Sequence, residues 1–331
     1  MMAELARRWI IGAGEGAGRL DHYLAQSIPD QSRSQIQGWI RGGQILVNRL
    51  RVKTGYALHP GDEITLSVES PAPGHLYPEA IPLVIIYDDP DLAVIEKPAG
   101  LVCHVGAGIR SGTLVNALLY HLGPLQTGDP VRPGIVHRLD KLTSGLMVVA
   151  KNLETHRNLS EQFKGRKVRK EYTALVYGRP IPPAGTIDLP LGRDPKNRKK
   201  ISARARHHRR AITHYRVERD YGRLSLLNVR IETGRTHQIR VHLAHIGHPV
   251  VGDALYGGAR GLKDEHLGEA IAGLERHFLH AHKLEFRHPR SGELVSFSAP
   301  LPLELAHFLD RLEPRTEAAP PERRGAPGAR S

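Results

Sequence analysis

The chain carries one cysteine, Cys103, in 331 residues. A single thiol excludes an internal disulfide and a thiolate zinc cluster. Cys103 reads as a small apolar residue. Aromatic residues make up only 5%, so a core must be built from Leu, Ile, Val and Ala. No Gly-Lys dipeptide occurs anywhere, which removes a P-loop. No apolar run approaches the ~18 residues of a membrane span. The first residues, MMAELARRWI, turn polar within four positions, unlike a signal segment. These absences predict a cytoplasmic protein without a membrane partner.

Hydrophobic residues amount to 40%, enough for a folded core. Lys and Arg total 47 against 34 Asp and Glu, a formal charge of +13. Such a surplus favours a polyanionic partner, nucleic acid or an acidic membrane surface, with solubility tuning as the bland alternative. The length predicts about two domains.

Residues 1–17 read as a short leader with a glycine-rich end. Its loose GxGxxA run, Gly12 to Ala17, follows a strand of four residues at most and reads as a loop, not as a dinucleotide site. Residues 18–69 read as a compact unit. Leu20, Leu24 and Ile28 recur at spacing four and predict a helix. Ile36, Trp39 and Ile40 predict a second helix, capped by Ser32 or Ser34 and stopped by Gly42-Gly43. Ile45-Leu46-Val47 predicts a strand, and Pro60-Gly61-Asp62 a turn into the alternating strand Ile64–Val68. Arg33, Arg41, Arg49, Arg51 and Lys53 fall in a stretch without any acidic residue, although residues 1–80 hold eight basic and eight acidic groups. Segregated charge suits a surface that meets phosphates on one side; a solvated helix face is the alternative.

Residues 70–80 have the proline content of a linker. A larger domain is expected from residue 81 to residue 312. Leu146 to Ala150 is a short apolar run suited to a buried strand, and Leu153, Leu159 and Phe163 predict a helix after it. Leu224, Leu226, Val229 and Ile231 alternate with one slip, as at a bulge. Strands and helices mix, so the expected class is α+β, with a mostly antiparallel mixed sheet flanked by helices and loops. Residues 313–331 are rich in Pro, Gly, Ala and charge and are expected to be disordered.

The segment from Arg132 to Leu146 is polar, turn-rich, and runs straight into the buried strand. A carboxylate at Asp140 would sit on a rigid support. Arg138 and Lys141 flank it and favour its charged form. A nucleophile or base and a structural ion pair are equally good readings at this point. Two basic stretches, residues 164–170 with five cations and residues 192–210 with nine Lys or Arg against Asp194, read as phosphate grips or as solvated loops. His237, His242, His245 and His248 crowd one segment. No carboxylate lies between Thr233 and Val251 to complete a hard site, so no metal is expected.

The run His137-Arg138-Leu139-Asp140 followed by Thr143-Ser144-Gly145 resembles the HRLDxxTSG signature of the RluA-type RNA pseudouridine synthases. Lys97-Pro98-Ala99-Gly100 resembles the early KPxG turn of that family, Lys170-Glu171-Tyr172 its KxY segment, and Thr233 to His242 its TGRTHQIRVH motif. Residues 18–68 resemble an S4 (αL) RNA-binding domain, and the two-domain layout is similar to the RluD and RluC branches. The resemblance implies a pseudouridine synthase fold and conversion of uridine to pseudouridine in RNA. For the branch it implies large-subunit ribosomal RNA or its precursor particle as partner; transfer RNA is the alternative substrate.

The resemblance also implies roles. The target base must be flipped from its stack, and Arg138 would fill or prop the vacated place. Asp140 would attack C1′ or take the 2′ proton. Tyr172 would stack on the base, and Arg240 would pair with Asp140. Arg235 would contact phosphate or scaffold; Ile239 would touch the base or belong to the core. Lys97 and Pro98 would be structural. A rearrangement without redox change implies no cofactor, and nothing in the pattern calls for more than a monomer. A non-catalytic RNA-binding or ribosome-assembly protein is the competing reading, and a metal-dependent nuclease built on the histidine segment a third.

Overall fold

The computed structural model describes residues 4–13, 18–28, 33–69, 76–105, 111–195, 197, 200–203, 205, 207–258 and 265–312. The expected tail and the glycine-rich run at 14–17 lie outside the described residues, as do residues 70–75 of the expected linker. Two compact units divide the chain, Met1–His75 and Leu76–Ser331.

The smaller unit comprises β1 (Glu4–Ile10), α1 (Leu20–Ser27), α2 (Arg33–Gly42), β2 (Ile45–Val47) and β3 (Glu63–Glu69). β3 is central, with β1 and β2 antiparallel on either side. The helical spacing works as expected. Leu20 and Leu24 of the first helix, Ile28 just after it, and Ile36 and Ile40 of the second are buried on Ile45, Val47, Ile64 and Leu66 of the sheet. Gly43 ends α2 at φ +78°, a conformation costly for other residues.

The structure corrects the reading of residues 1–17 as a leader. Residues 4–10 are a strand paired along its whole length with β3. β1 is an edge strand whose inner face packs Trp9, continued by the buried Ile11, while Arg8 and Ile10 face outward. One apolar face, two residues deep on a charged strand, gives too little periodicity to be recognised. Ser34 lies inside α2 and so is not its cap; Ser32 lies outside the described residues.

The larger unit follows in the order β4 (Val84–Asp88), β5 (Leu92–Lys97), α3 (Leu114–Leu122), β6 (Ser144–Ala150), α4 (Leu153–Lys164), β7 (Arg169–Tyr177), β8 (Ala184–Asp188), β9 (Gly192–Arg193), β10 (Ile201–Ser202), β11 (Ile212–Asp220), β12 (Leu224–Ile231), α5 (Gln238–His245), α6 (Glu265–Ala272), β13 (Leu279–Arg287), β14 (Leu294–Ser298) and α7 (Leu303–Asp310). Nine strands form one sheet in the order β4-β5-β6-β13-β7-β12-β11-β8, with β14 on β13. All neighbours are antiparallel except β13 and β6. This is the mixed, mostly antiparallel α+β sheet that the sequence predicts.

Both faces of the sheet are covered, which explains the unbroken apolar run of β6. Met147 and Val149 join a core with Leu114 and Leu118 of α3 and Ile239 and Leu243 of α5. Leu146, Val148 and Ala150 join the opposite core, capped by Leu159 of α4. The slip read in β12 has the same cause. Leu227, Val229 and Ile231 belong to one face, whereas Leu224 and Leu226 belong to the other, against α6 and α7. The strand keeps its period of two; the bulge is on its partner β11, between Val217 and Arg219. β9 and β10 pair as a small ribbon. The basic residues Lys196, Arg198, Lys199, Arg204 and Arg206 lie outside the described residues. No helix among the described residues is long and apolar enough to cross a membrane.

Candidate active site

Asp140 lies in the turn-rich segment that leads into β6. Alternation sets its direction: Leu139 is buried, while Arg138 is exposed and Asp140 partly so. His137 anchors the segment. Its Nε2 accepts from the Val148 backbone N–H at 3.0 Å, and its ring stacks on Phe163 with centroids 4.5 Å apart. Burial, and next the charge of Lys170, pull His137 down to about 3, so it is a neutral ring at pH 7.

The residues after Asp140 are held just as firmly. The Thr143 N–H donates to the Asp140 carbonyl at 3.1 Å. Thr143 Oγ1 lies 2.8 Å from His277 Nε2, and Ser144 Oγ lies 2.9 Å from His280 Nδ1 while accepting from Arg276 Nη2 at 2.8 Å. Gly145, at φ +121°, lets β6 pass against Ala281 of β13, where a Cβ would meet backbone at 2.3 Å. Lys97, fully buried, donates to the carbonyls of Pro98, Leu101 and Lys141 at 2.7, 2.9 and 3.2 Å. The Gly100 N–H also donates to Lys141 O, at 2.8 Å. The Lys97-Pro98 turn is thus a clamp on the far end of the Asp140 loop.

The second wall is the start of α5. His237 at its N-terminus adopts φ +55°. Gln238 ties the entry down completely: its Oε1 accepts from Thr233 Oγ1 at 2.7 Å and the Arg235 N–H at 3.0 Å. Its Nε2 donates to Ile212 O at 2.9 Å and Thr213 Oγ1 at 3.0 Å. Two residues later stands Arg240, buried. Its Nη1 donates to Asp140 Oδ2 at 3.0 Å, Nε to Asp253 Oδ2 at 2.7 Å and Nη2 to Asp253 Oδ1 at 3.0 Å. Burial alone would lower the Arg240 guanidinium; Asp253 and Asp140 more than offset it and hold it above its ordinary value.

Tyr172 forms the third wall. It is 6% exposed and lies on β7, opposite Val229 of β12. Burial, then the Asp140 charge, raise its phenol well above the usual range, so it is a neutral group. Asp140, Tyr172 and Arg240 line one cavity of about 420 Å³, together with Arg138, Arg235, Lys170, Phe163, His237 and Ile239. That volume suits a small ring system.

The family described as RNA pseudouridylate synthase matches residues 91–245 and the S4 domain matches residues 18–64. A protein of Xanthomonas campestris pv. campestris named ribosomal large subunit pseudouridine synthase D is 42% identical over 310 residues, covering 92% of each chain. A protein of the same name from Pseudomonas aeruginosa is 42% identical over 306 residues, covering 92% of this chain and 94% of its own. The chain belongs to the RNA pseudouridylate synthase family. A solved human structure, RNA pseudouridylate synthase domain containing 1, agrees with a TM-score of 0.55 at 27% identity, covering 72% of this chain and 91% of that one.

The synthase therefore brings Asp140, Tyr172, Arg240, Arg138 and Arg235 to one cavity. Arg33, Arg41, Arg49, Arg51 and Lys53 belong to the other unit. Arg41, Arg49, Arg51 and Lys53 are exposed there. Arg33 is partly committed: it donates to the buried Asp21 carboxylate at 2.9 Å, which also accepts from Arg19 and Gln37. Those partners hold Asp21 far below the usual carboxylate range, Arg19 first. Arg235 is exposed and donates through Nε to Arg210 O at 3.3 Å.

Sequence reasoning missed Asp253, Tyr256 and His277. Tyr256 lies under the Arg240 guanidinium at 5.1 Å and hydrogen-bonds His237 Nδ1 at 2.8 Å. The available signal for Asp253 was arithmetical: a buried arginine has donors on two edges, and one carboxylate satisfies only one of them. Three histidines of the crowded segment, His237, His242 and His248, have protein partners. His242 meets Thr213 Oγ1 and Leu189 O, both at 2.9 Å, and His248 meets Tyr177 O at 2.8 Å. Cys103 is buried, its thiol on Leu139 O at 3.2 Å.

Proposed function

We propose that this synthase converts uridine to pseudouridine in large-subunit ribosomal RNA, free or in its precursor particle, acting as a monomer. The substrate class is supported by the names of the relatives described above and by an S4 unit whose Arg41, Arg49, Arg51 and Lys53 are exposed. The observation that carries the site is convergence. Asp140 and Arg240, 100 positions apart, meet at 3.0 Å in the cavity that Tyr172 also lines.

A flipped uridine enters that cavity and Tyr172 stacks on its ring. Arg138, exposed at the rim, fills the place the base has left, and Arg235 meets the phosphates beside it. Asp140 then acts on the sugar. It either bonds to C1′ or takes the 2′ proton; in both cases N1–C1′ breaks and the base leaves with the bonding pair. The base turns and C5 bonds to C1′, while the Asp140–C1′ ester bond breaks in the first route, or Asp140 returns its proton to C2′ in the second; the C5 proton is then lost and N1 gains one. Arg240 aims the carboxylate.

The test is single-turnover conversion of a transcribed ribosomal RNA fragment by the Asp140→Ala and Asp140→Asn proteins. Conversion should fall by about 10⁴-fold or more with RNA binding retained. Pseudouridine formed at an undiminished rate would overturn the reading. Mapping pseudouridine in cells with and without the protein decides between ribosomal and transfer RNA.

A further inference from the structure

Lys170 stands two residues before Tyr172, so strand alternation puts both on one face of β7, and both line the active-site cavity. Lys170 is 7% exposed. Among the described residues no carboxylate is within ion-pair distance of its ammonium. Its one charged or ring contact is with Phe163, whose ring centroid is 5.5 Å away. A buried ammonium without a counter-charge is costly, and one ring contact offsets only part of that cost. Folds keep such groups where a ligand supplies the missing charge.

The reaction supplies one. In either route the negative charge starts on Asp140, where Arg240 meets it. Attack at C1′ turns the carboxylate into an ester; proton abstraction turns it into an acid and leaves a C1′–C2′ double bond. In both cases N1–C1′ breaks with its electron pair on N1, and the charge passes to uracil, spread over N1 and the two carbonyl oxygens. Arg240 stays committed to Asp140 and Asp253. His137 and His277 are neutral rings pulled down to about 3, burial being the main cause in both. Arg138, Lys164, Arg166 and Arg235 are exposed, and Arg166 pairs with Glu232 at 3.8 Å. Lys170 is the cation that combines burial, an unpaired ammonium and a place on the cavity wall.

We infer that Lys170 is a further catalytic residue, whose ammonium hydrogen-bonds the uracil ring as it leaves the sugar and stabilises the negative charge it acquires. Lys170 keeps its proton throughout, and the C5 and N1 proton exchanges proceed without it. Stabilisation of developing charge by a fixed cation in a dry site is among the larger catalytic effects. Burial pulls Lys170 down to about 8, and an anionic base opposes that pull. The inference rests on the reading of Asp140 above.

The experiment compares wild type, Lys170→Met and Lys170→Gln in single turnover at saturating enzyme, on RNA carrying uridine or 5-fluorouridine at the target, and follows loss of the N1-linked target nucleoside, which reports N1–C1′ cleavage and does not require a proton at C5. The variants should lose about 100-fold in rate on uridine while binding RNA within about threefold of wild type. The loss should shrink on 5-fluorouridine, whose base carries negative charge more readily. The ratio of the two rates is taken within one preparation, so a partly misfolded variant still reports it. An unchanged rate overturns the inference. So does weaker RNA binding at an unchanged rate, which would make Lys170 a phosphate contact, or an equal loss on both substrates. If Asp140→Ala retains activity, the reading of Asp140 fails; if Asp140→Ala is inactive and Lys170→Gln is not impaired, this inference fails alone.

Discussion

Asp253 takes two nitrogens of Arg240, Nε at 2.7 Å and Nη2 at 3.0 Å, and leaves Nη1 to reach Asp140. The fork fixes the guanidinium plane, and the plane fixes where the Asp140 carboxylate sits. Asp253 is itself 1% exposed and accepts from the backbone N–H groups of Leu255 and Tyr256 at 3.0 and 3.2 Å. Its place is therefore set by the chain and not by the site.

Asp253→Asn should lower the rate of conversion by about 10- to 100-fold, because a misaimed reacting group costs on that order. An amide offers one acceptor where the fork needs two, so Arg240 is free to pivot. Binding of RNA should stay as it is, since Asp253 is shielded from the rim. Single-turnover rates beside equilibrium binding decide the point: a variant weakened in binding but not in rate would contradict the positioning role.

Gly145 can be tested for stability alone. Its φ of +121° is strained for any other residue, and an added Cβ would meet Ala281 backbone at 2.3 to 2.8 Å. Gly145→Ala forces apart β6 and β13, the one parallel pair of the sheet. The two effects together should cost about 3 kcal/mol or more. Urea unfolding of the full chain followed by tryptophan-independent far-ultraviolet signal measures it, and a midpoint equal to wild type would refute it.

Much of this site was legible because its motifs are local. In HRLDxxTSG His137 is pinned to β6 and Phe163 and Leu139 is buried, while Arg138 and Asp140 between and after them stay accessible, and Thr143, Ser144 and Gly145 each have a neighbour that requires that residue. Helix spacing in α1 and α2 and the buried run of β6 were equally readable. The rest depended on distance along the chain. Asp253 meets Arg240 only because a turn after α5 folds back, and His277 meets Thr143 across 134 positions. β1 was hidden for another reason: half of its side chains are charged or exposed, so its pairing with β3 is visible only once β3 is in place. Lys170 was legible as a cation but not as a buried one, because its neighbours Lys167 and Arg169 are exposed and the run reads as a solvated stretch.

The buried histidines give a pH dependence of stability with a definite sign. His277 and His280 are 2% and 0% exposed, and burial above all pulls them to about 3 and about 4. Both values lie below the unfolded value near 6.5. As pH falls, the unfolded chain takes up these protons first. The stability they contribute is complete above about pH 6.5 and is lost as pH falls toward the folded values. Between pH 6.5 and pH 5 each histidine should cost on the order of 2 kcal/mol. Urea midpoints at pH 7.5, 6 and 5 should fall steadily, and His277→Gln should flatten the trend. A midpoint independent of pH over that range would show that these rings titrate normally in the fold.

The S4 unit offers a prediction that separates two kinds of arginine. Each cation that neutralises a phosphate releases a counterion, so its removal lowers the slope of log affinity against log salt by about 1. Arg41, Arg49, Arg51 and Lys53 are exposed, and each alanine variant should show that change with the folding midpoint unmoved. Arg33 differs, because its guanidinium lies 2.9 Å from the buried Asp21. Its charge is already matched by a carboxylate, and a phosphate would have to compete for it. Arg33→Ala should leave the salt slope nearly unchanged and lower stability by about 1 kcal/mol or less, since the arginine is half exposed and Arg19 and Gln37 still hold Asp21. Filter-binding titrations from 50 to 300 mM salt, at about tenfold protein excess, would resolve a change of one in slope. A full unit lost in Arg33→Ala would mean that RNA draws Arg33 away from Asp21 on binding, and the carboxylate would then be a latch that the phosphate opens.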